Sequence, residues 1–517
     1  MRGTWWREGV FYQIYPRSFQ DSNGDGVGDL RGITRRLDHL NDGTPSSLGI
    51  DAVWLSPFYR SPMADFGYDV SDYRDVDPIF GTLDDFDDLL EEAHRRGIRV
   101  LVDLVPNHTS DQHPWFVASR SSRDDPKRSW YVWAEPRRGG PPNNWRAVFG
   151  SKEKRSAWTL DPATGQYYLH HFLPQQPDLN WWNEDVRKAI DDVMRFWLDR
   201  GVDGFRIDVA HSLVKDQLLR DNPRLFAKRR PRHNWELEEV HEIHRRWRRV
   251  LDEYDDRVAV GEVSSRELRN LVRYYGNDDE LHMPFYFNFL RQPWSAERFR
   301  GIVEEWERLL PHHAWPDYTL SNHDRSRAAS RYGPRNARVA AMMLLTLRGT
   351  PFIYYGEEIG MTDVAIPHAR IVDVDGRDPE RTPMQWDATA NAGFTTGKPW
   401  LPLAPDAQRV NVAAQRDDPR SMFSFYRRLL ALRRASPAVR AGTYRTHPAP
   451  REVFAYIREA EGERMLIALN FSDRPQIVSL PNSARAHIVA SATGGLDGAA
   501  QKAFELGPNE GVLARLE

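Results

Sequence analysis

The chain has 517 residues, of which 40% are hydrophobic and 28% are charged, and it contains no cysteine. This composition is typical of globular proteins, and a formal net charge of only −3 argues against nucleic acid or an anionic lipid surface as a partner. The absence of cysteine excludes disulfides and thiolate metal sites, and it favours a reducing compartment.

The N-terminal segment, MRGTWWREGVFYQ, lacks the apolar stretch of a secretory signal. No run of 18 apolar residues occurs anywhere in the chain, so no membrane-spanning helix is expected. Together with the missing cysteines, these features predict a soluble, cytoplasmic protein.

Eight short runs rich in β-branched and aromatic residues alternate with amphipathic helical patterns, which is typical of a parallel sheet built from βα units. The predicted strands start at Val10, Asp51, Arg99, Gly204, Val258, His282, Asp317 and Pro351. The predicted helices cover residues 82–97, 184–200, 235–254, 296–310, 336–347 and 421–434. Eight such units predict an α/β fold, a closed (β/α)8 TIM barrel with functional side chains at the C-terminal ends of its strands.

Two segments interrupt this alternation. Residues 105–175 are rich in Trp, Pro, Gly and Arg with little helical period, which predicts an irregular inserted domain after the third strand. From residue 439 to 517, short turn-bounded runs such as VFAYIRE and RMLIALNFS predict a C-terminal antiparallel β-sandwich domain. The barrel would then consist of residues 1–104 and 176–438.

Acidic residues recur at the ends of the predicted barrel strands, at Asp103, Asp208, Glu262 and Asp324. Hydrolysis of a glycosidic bond needs one carboxyl group to protonate the leaving oxygen and another to attack or to activate water. Asp208 and Glu262, on successive strands, fit this requirement. Arg206 lies two residues before Asp208 and therefore on the same face of the strand, where a guanidinium would keep Asp208 ionised.

Several segments of the chain resemble the ordered motifs of the α-amylase superfamily, glycoside hydrolase family 13. They are DLVPNHTS at 103–110, GFRIDVAH at 204–211, GEV at 261–263 and SNHD at 321–324. QPDLNWWN at 176–183 resembles the fifth motif of the oligo-1,6-glucosidase and α-glucosidase branch. The resemblance covers nearly the whole chain and implies the same barrel fold.

The resemblance also implies roles for residues at matching positions. Asp208 would be the nucleophile, Glu262 the general acid/base, and Asp324 the group that stabilises the transition state. His108 and His323 would bind hydroxyls of the sugar in the cleavage subsite. No cofactor would be needed for catalysis.

Two further segments resemble pocket-forming loops of the family. In SPMADFGYDVSDY at 61–73, Asp65 would bind outer hydroxyls of the non-reducing sugar and Tyr68 would stack on its ring. In RTPMQWD at 381–387, which resembles the exo-acting branch, Arg381 is expected to pair with Asp65 and to close the pocket behind one sugar. The remaining residues expected to bind substrate are Phe149, Gln176 and Arg206.

The loop DSNGDGVGD at 21–29 places oxygen-bearing side chains at alternate positions between glycines, as calcium-binding loops do. An EF-hand is disfavoured because its bidentate Glu would stand at Gly32. The resemblance implies a structural Ca2+ or Mg2+ site remote from catalysis, and a metal-free turn held by Asp and Asn side chains is the alternative. The expected ligands are Asp21, Asn23, Asp25, the Val27 carbonyl and Asp29.

The sequence therefore predicts a retaining, exo-acting α-glucosidase acting on small substrates such as malto- and isomalto-oligosaccharides. A transglucosidase and an α-1,6-specific enzyme, the branch that Val209 resembles, are alternatives that use the same catalytic residues. The RLDRD signature of sucrose isomerases is missing, since the chain reads RSRAAS at that place. A non-catalytic relative of the barrel is disfavoured because the three acids are retained.

Overall fold

The structure, a computed structural model, describes most of the chain. The described residues are 5–150, 155–225, 228–229, 231–265, 267–481, 485–496, 498 and 500–517. Parts of four predicted regions lie outside them: residues 1–4 of the N-terminal segment, 151–154 of the insertion, 226–227, 230 and 266 of the barrel, and 482–484, 497 and 499 of the C-terminal domain. Among the described residues, no helix is both long enough and apolar enough to cross a membrane.

All eight predicted barrel strands are present, and they form one parallel sheet. The strands are β1 (Phe11–Ile14), β2 (Ala52–Leu55), β3 (Arg99–Leu104), β4 (Gly204–Ile207), β5 (Val258–Val263), β6 (Met283–Tyr286), β7 (Asp317–Thr319) and β8 (Thr350–Tyr354). They are hydrogen-bonded in the order β6, β5, β4, β3, β2, β1, β8, β7, and the two end strands contact each other. The sheet is thus a nearly closed barrel, which confirms the predicted fold class.

One helix follows each barrel strand along the chain. These helices are α1 (Leu30–Leu40), α2 (Leu83–Arg95), α3 (Glu184–Asp199), α4 (Val240–Leu251), α5 (Leu268–Leu271), α6 (Ala296–Leu309), α7 (Pro334–Thr346) and α8 (Met422–Ala435). Shorter helices lie at Trp5–Glu8, Pro16–Phe19, Phe287–Leu290, Ala328–Tyr332, Val412–Arg416 and Pro437–Ala441. The βα alternation read from the sequence is therefore the organisation of the fold.

Local sequence signals predict the ends of α2 correctly but misplace the start of α4. Thr82 caps α2 in a reciprocal capping box with Asp85, and Gly97 follows the helix in the left-handed region at φ 71°. The helix predicted from residue 235 begins only at Val240. Residues 235–239 instead lie in a loop, in which the Glu236 N–H donates to a carbonyl of the barrel's C-terminal end and φ of Glu236 is 51°.

The insertion after β3 has more regular structure than predicted. It contains the helix Pro114–Ser121 and a three-stranded antiparallel sheet of Trp133–Ala134, Trp158–Leu160 and Tyr167–Leu169. These strands are only two or three residues long, which is too short to show a period-2 pattern. Aromatic contacts hold them instead, for example the stacking of Trp133 on a phenylalanine of the helix.

The C-terminal region forms the predicted antiparallel β-sandwich. Its strands are β9 (Thr443–Thr446), β10 (Val453–Ala460), β11 (Glu463–Asn470), β12 (Gln476–Ser479), β13 (Ala486–Ser491), β14 (Ala500–Gln501), β15 (Ala503–Leu506) and β16 (Gly511–Leu516). One sheet has the order β9, β10, β11, β16, β13, β14, and β12 pairs with β15. Buried side chains of both sheets form a common core. The residue at which each domain begins and ends stays a prediction.

Candidate active site

Three acids and one arginine meet at the C-terminal ends of β3, β4 and β5. The parallel register sets Asp103 opposite Arg206. Nη1 of Arg206 donates to Asp103 at 2.9 Å and to Asp208 at 2.7 Å, and its Nη2 contacts Glu262. Arg206 is only 1% exposed. A single buried guanidinium therefore holds all three carboxyl groups together.

Burial alters the acidity of these groups. It raises the pKa of Asp208 well above its ordinary value; the neighbouring carboxyl groups of Glu262 and Asp103 add to the rise, and Arg206 opposes it. Burial likewise raises the pKa of Asp103 to about 6 against the effect of Arg206. Arg206 thus acts in the expected direction but does not outweigh burial. Asp208 and Glu262 contact the same guanidinium group, so their carboxyl groups lie close to each other.

The backbone around Asp208 is tightly constrained. A Cβ on Gly204 would lie 2.1 Å from the Val258 carbonyl oxygen, so only glycine allows β4 to approach β5 this closely. Val209, directly after Asp208, has φ 45°, a strained conformation for a β-branched residue that typically costs about 1–3 kcal/mol. The next N–H donates to the Glu262 carbonyl at 3.0 Å. This turn fixes Asp208 beside Glu262.

Asp324 lies beyond the end of β7 and contacts two arginines. Its Oδ1 accepts hydrogen bonds from Arg377 and from Arg381, each at 3.0 Å. Burial acts to raise the pKa of Asp324, but His323, Arg377 and Arg381 outweigh it and hold that pKa well below its ordinary value. Asp324 is therefore a fixed negative charge facing the same space as Glu262.

His323 belongs to a chain of buried hydrogen bonds. Its Nδ1 lies 2.7 Å from the Gln13 amide nitrogen, which can only donate, so Nε2 carries the proton and donates to the Tyr68 hydroxyl at 2.7 Å. That hydroxyl donates to Asp103 at 3.1 Å. Burial lowers the pKa of His323 to about 3, so the ring is neutral. Tyr68, expected to stack on a sugar, stacks here on the His323 ring at 5.4 Å.

The arginine that pairs with Asp65 is Arg377, and the expected pairing with Arg381 is wrong. Nη2 of Arg377 donates to Asp65 at 2.5 Å. Arg381 instead donates through Nε to the His323 carbonyl at 2.7 Å and reaches Asp324. The 3-10 helix Asp378–Arg381 explains the difference, because it places the two arginines at its opposite ends.

Arg377 and Asp373 are site residues that the sequence did not predict. Asp373 accepts hydrogen bonds from the Arg377 backbone N–H at 2.8 Å and from its Nε at 3.1 Å. The guanidinium also lies 4.8 Å from the ring centre of Phe149, which places that predicted residue in the site. The available signal was the segment DVDGRD, in which acids precede an arginine by two and four residues.

Gln176 and His108 complete the network around Asp65. The Gln176 amide nitrogen lies 3.0 Å from Asp65 and 3.0 Å from Nε2 of His108. Burial lowers the pKa of His108 to about 4, so this ring is also neutral. The structure thus brings the predicted acids together with both histidines and Gln176. Arg206, Arg377 and Arg381 lie in the same network.

A cavity of about 220 Å³ opens beside these groups. Glu262 and Asp324 are among the residues that line it. Phe149, Trp235 and Phe287 contribute apolar wall. We call this space the acceptor cavity, because Glu262, the expected acid/base, lines it.

Two family profiles match the chain, each over a domain-sized region. Residues 13–442 match the alpha amylase catalytic domain, and residues 445–495 match the maltogenic amylase C-terminal domain. The chain belongs to the α-amylase family. It is accordingly a glycoside hydrolase, a class that needs no cofactor for catalysis in this family.

Individual members of the α-amylase family are similar over almost their whole length. A probable alpha-glucosidase of Rhizobium meliloti (strain 1021) is 44% identical, over 92% of this chain and 91% of the relative. An oligo-1,6-glucosidase of Parageobacillus thermoglucosidasius is 40% identical, over 93% of each chain. The solved structure of the alpha-glucosyl transfer enzyme XgtA has a TM-score of 0.93 and 42% identity, and 100% of each chain is covered.

A buried lysine joins the insertion of this α-amylase family member to its barrel. Nζ of Lys215 donates to the Asn107 side chain at 2.7 Å and to the Leu213 carbonyl at 3.0 Å, and it lies 2.8 Å from Asp178. Burial acts to raise the pKa of Asp178, but Lys215 and His171 outweigh it and hold the pKa well below its ordinary value. The sequence shows only a single lysine after GFRIDVAH, and its role in linking the insertion to the barrel was not predicted.

The loop at 21–29 folds around its own carboxylates. Oδ1 of Asp21 accepts from the N–H groups of Asn23 and Gly24, and Oδ2 accepts from Gly26, all within 2.7–2.8 Å. Burial acts to raise the pKa of Asp21, but the Thr395 hydroxyl and these amides lower it overall. Asp21 therefore stays ionised.

The donor chemistry of this loop fits a hard cation, since every expected ligand atom is an oxygen. Asp29 caps α1 by accepting the Gly32 N–H at 2.7 Å, which ties the loop to the barrel. Within the described part of the chain, no three His, Asp or Glu side chains come close enough together to hold a metal ion. A cation would therefore depend on Asn23 and a backbone carbonyl as well as on carboxylates.

Proposed function

We propose that this enzyme is a retaining, exo-acting α-glucosidase that releases terminal glucose from short α-linked oligosaccharides. The observation that carries this proposal is the pair of carboxyl groups of Asp208 and Glu262, which Arg206 holds together near the Asp65–Arg377 ion pair. The names of the two relatives, an alpha-glucosidase and an oligo-1,6-glucosidase, support the same activity.

The mechanism is double displacement. The Asp208 carboxylate attacks the anomeric carbon while Glu262 gives its proton to the departing glycosidic oxygen, so an ester to Asp208 forms as the bond to the aglycone breaks. Glu262 then takes a proton from water as that water cleaves the ester, which restores both groups and retains the configuration. The contact of both carboxyl groups with the one guanidinium of Arg206 supports the short separation of retaining enzymes, about 5–5.5 Å, over the roughly 6.5–9.5 Å of inverting enzymes.

Burial raises the pKa of Asp208 and so opposes its attacking carboxylate form, but the other charges around the site suit this reaction. Asp324 stays ionised and would face the positive charge that develops on the sugar in the transition state. His108 and His323 are neutral, so they would bind sugar hydroxyls without opposing that charge. Because Asp65 and Arg377 close the pocket, only the end of a sugar chain would fit.

Glucosyl transfer is a second candidate, which the aromatic side chains of the acceptor cavity favour. Phe172 and Trp235 there offer ring faces that would bind a sugar acceptor in competition with water. The similarity to an alpha-glucosyl transfer enzyme supports this alternative. Specificity for α-1,6 bonds is a third possibility on the same residues.

The experiment is a time-resolved NMR assay of the first sugar released, with an Asp208→Asn variant as control. Retention predicts α-glucose as the first product, and β-glucose would contradict the mechanism. Initial rates on maltose, isomaltose, sucrose and kojibiose then define the linkage. Product analysis at high substrate concentration separates hydrolysis from transfer, since oligosaccharides in excess of glucose would establish a transglucosidase.

We also propose that the loop at 21–29 binds a structural Ca2+ or Mg2+ through Asp21, Asn23, Asp25, the Val27 carbonyl and Asp29. The ionised Asp21 and the all-oxygen donor set support this. Adding Ca2+ after EDTA treatment should raise the melting temperature of the wild type, and that of an Asp25→Asn variant much less. A melting temperature that responds to neither EDTA nor Ca2+, with no metal detected by elemental analysis, would establish the metal-free turn.

We place the enzyme in the cytoplasm, because a chain without cysteine fits a reducing compartment. Cell fractionation with an antibody against the chain tests this location. Recovery from the secreted fraction would contradict it.

A further inference from the structure

Gln13 is a polar side chain in the apolar interior of the barrel. It lies on β1 two positions after Phe11, so the two side chains share a face of the strand, and Phe11 packs among apolar side chains of other barrel strands. Gln13 is 2% exposed. Its amide nitrogen lies 2.7 Å from Nδ1 of His323 and 3.2 Å from the Ser56 hydroxyl. These contacts satisfy an amide that would be costly to bury alone.

Two acceptors on the far side of the His323 ring determine which ring nitrogen carries the proton. Nε2 lies 3.4 Å from the Asp324 carboxylate and 2.7 Å from the Tyr68 hydroxyl. Asp324 stays ionised, so a lone pair on Nε2 would face a negative charge. The Tyr68 hydroxyl donates its own proton to Asp103, so it accepts one from His323. Nε2 is therefore protonated, and Nδ1 is an acceptor.

The Gln13 amide group supplies the donor that Nδ1 requires. Its NH2 group has two protons, of which one is directed to Nδ1 and the other to the Ser56 hydroxyl. If the amide were turned over, its carbonyl oxygen would face the lone pair of Nδ1. The acceptors beyond the ring thus determine the orientation of the amide, and the amide in turn stabilises this one tautomer of His323.

We propose that Gln13 is a positioning residue that holds the His323 ring neutral with its proton on Nε2, so that the ring presents a hydrogen-bond donor without a positive charge to the bound sugar. The inference rests on the proposed α-glucosidase function. Gln13 contacts the nitrogen that faces away from Asp324, so it acts through the ring. A neutral ring matters because positive charge develops on the sugar in the transition state, and an imidazolium there would oppose it.

The surroundings of His323 make its charge sensitive to one added carboxylate. Burial lowers the pKa of the ring to about 3. The charged groups that face it act in both directions, since Asp324 raises this pKa and three arginines lower it: Arg206, Arg377 and Arg381. The other rings packed against it are uncharged, namely Tyr15, Trp54 and Tyr68. A carboxylate in contact with Nδ1 would therefore raise the pKa of His323.

The experiment measures how kcat/KM for nitrophenyl α-glucoside depends on pH in Gln13→Glu. The new carboxylate would accept a proton from Nδ1, so His323 would be a cation below its raised pKa and neutral above it. We expect the acid limb of the profile to move to higher pH by about one to two units, which lowers kcat/KM about tenfold or more at pH 5 and less at pH 7.

Gln20→Glu is the matched control for this experiment. Gln20 is also buried, and its side-chain oxygen accepts a hydrogen bond from Arg36 at 2.6 Å. A carboxylate at this position would face Arg36 and not His323. The control should therefore keep the wild-type pH profile.

A second variant tests the same role without adding a charge. Gln13→Met fills a similar volume but offers no donor to Nδ1, so both tautomers become accessible, and we expect kcat/KM to fall about tenfold. The same substitution in a His323→Gln background should change kcat/KM by less than about twofold, because Gln13 acts only through the ring. A residue needed only for packing would lower kcat/KM by the same factor in both backgrounds.

Two results would overturn the inference. One is an acid limb of Gln13→Glu at the wild-type position, and the other is an equal effect of Gln13→Met in both backgrounds. Each is measured per folded enzyme, with the folded fraction taken from circular dichroism, and the cycle with Gln13→Met decides alone if Gln13→Glu does not fold. Both results leave the α-glucosidase proposal standing, whereas a wild type that does not hydrolyse nitrophenyl α-glucoside would refute both proposals.

Discussion

Two arginines organise the site at the scale of single residues. Arg206 contacts the three acids at the ends of neighbouring strands. Arg377 bridges Asp65, Asp373 and Asp324, which come from three separate stretches of the chain. Each guanidinium is buried, so its charge is compensated only by these carboxylates.

Replacing Arg377 by lysine should lower kcat/KM by about a hundredfold or more. A lysine keeps the charge but is not a planar fork, so it cannot hold Asp65 and Asp324 at once. Steady-state kinetics on a nitrophenyl α-glucoside would measure the loss. Arg335→Lys, at an exposed position of α7, is the matched control and should behave as wild type. Activity of Arg377→Lys within twofold of wild type would refute the bridging role.

The contrast between these two arginines shows what could be predicted at residue scale. Arg206 was predicted because it lies two positions from Asp208 on one strand, where period 2 determines the shared face. Arg377 pairs with Asp65 across 312 positions, and no periodicity reports such a contact. The pairing was assigned wrongly to Arg381 because the sequence does not show the 3-10 helix between the two arginines. That helix places Arg377 and Arg381 at opposite ends, so they contact different partners.

The junction between insertion and barrel depends on one buried ion pair at the scale of elements. Lys215 follows β4, Asn107 follows β3, and Asp178 lies where the chain returns from the insertion towards α3. All three side chains are at most 3% exposed. The ammonium therefore ties together the segments that carry the pocket residues His108 and Gln176.

Replacing Lys215 by methionine should destabilise the fold by about 3–5 kcal/mol, because the Asp178 carboxylate loses its cation in a buried site. Denaturant unfolding monitored by tryptophan fluorescence would measure the change. The double variant Lys215→Met/Asp178→Asn should recover part of the loss, and Lys188→Met, on the exposed face of α3, should have little effect. A Lys215→Met variant as stable as the wild type would contradict the account.

The elements that the sequence predicted well are those with strong local signals. The α2 helix has a capping box at Thr82, a buried face at 3.6-residue spacing and a terminating glycine, and its bounds agree closely with prediction. The insertion has no such signals, because strands such as Trp133–Ala134 depend on aromatic contacts with residues far along the chain. For the same reason the start of α4 was misplaced, since Trp235 packs on His211 instead of entering the helix.

At the scale of the whole molecule, a buried carboxyl group joins the barrel to its outer layer. Glu357 follows β8 and accepts hydrogen bonds from Ser321, beyond β7, and from Tyr426 of α8, at 2.8 and 3.0 Å. Burial raises its pKa to about 7 from 4.5, although these hydroxyls act in the opposite sense. The folded state therefore favours the protonated form.

This shift predicts a pH dependence of stability. A raised carboxyl pKa contributes stability that is fully present below pH 4.5 and is lost as the pH rises through about 7. Glu357→Gln removes the titration. Between these pH values the free energy of unfolding of the wild type should therefore fall by about 3 kcal/mol relative to that of the variant. Parallel unfolding curves at pH 5 and pH 7.5 measure it. The same pH dependence in both proteins would contradict the prediction.

The barrel was predictable as a whole because βα alternation leaves few topologies, and a parallel sheet gathers strand ends at one side. That argument places Asp103, Asp208 and Glu262 together without any knowledge of side-chain contacts. It does not determine how the insertion and the segment before Arg381 close the site. Those features depend on loops whose conformation follows from tertiary contacts.

The central claim is that Asp208 forms a covalent bond with the sugar, and peptide mass spectrometry after reaction with a slowly hydrolysed fluorinated α-glucosyl fluoride tests it most directly. The account predicts one glycosyl adduct, carried by Asp208 in the wild type and absent from Asp208→Asn. An adduct on another carboxylate, or turnover of substrate by Asp208→Asn at the wild-type rate, would contradict it.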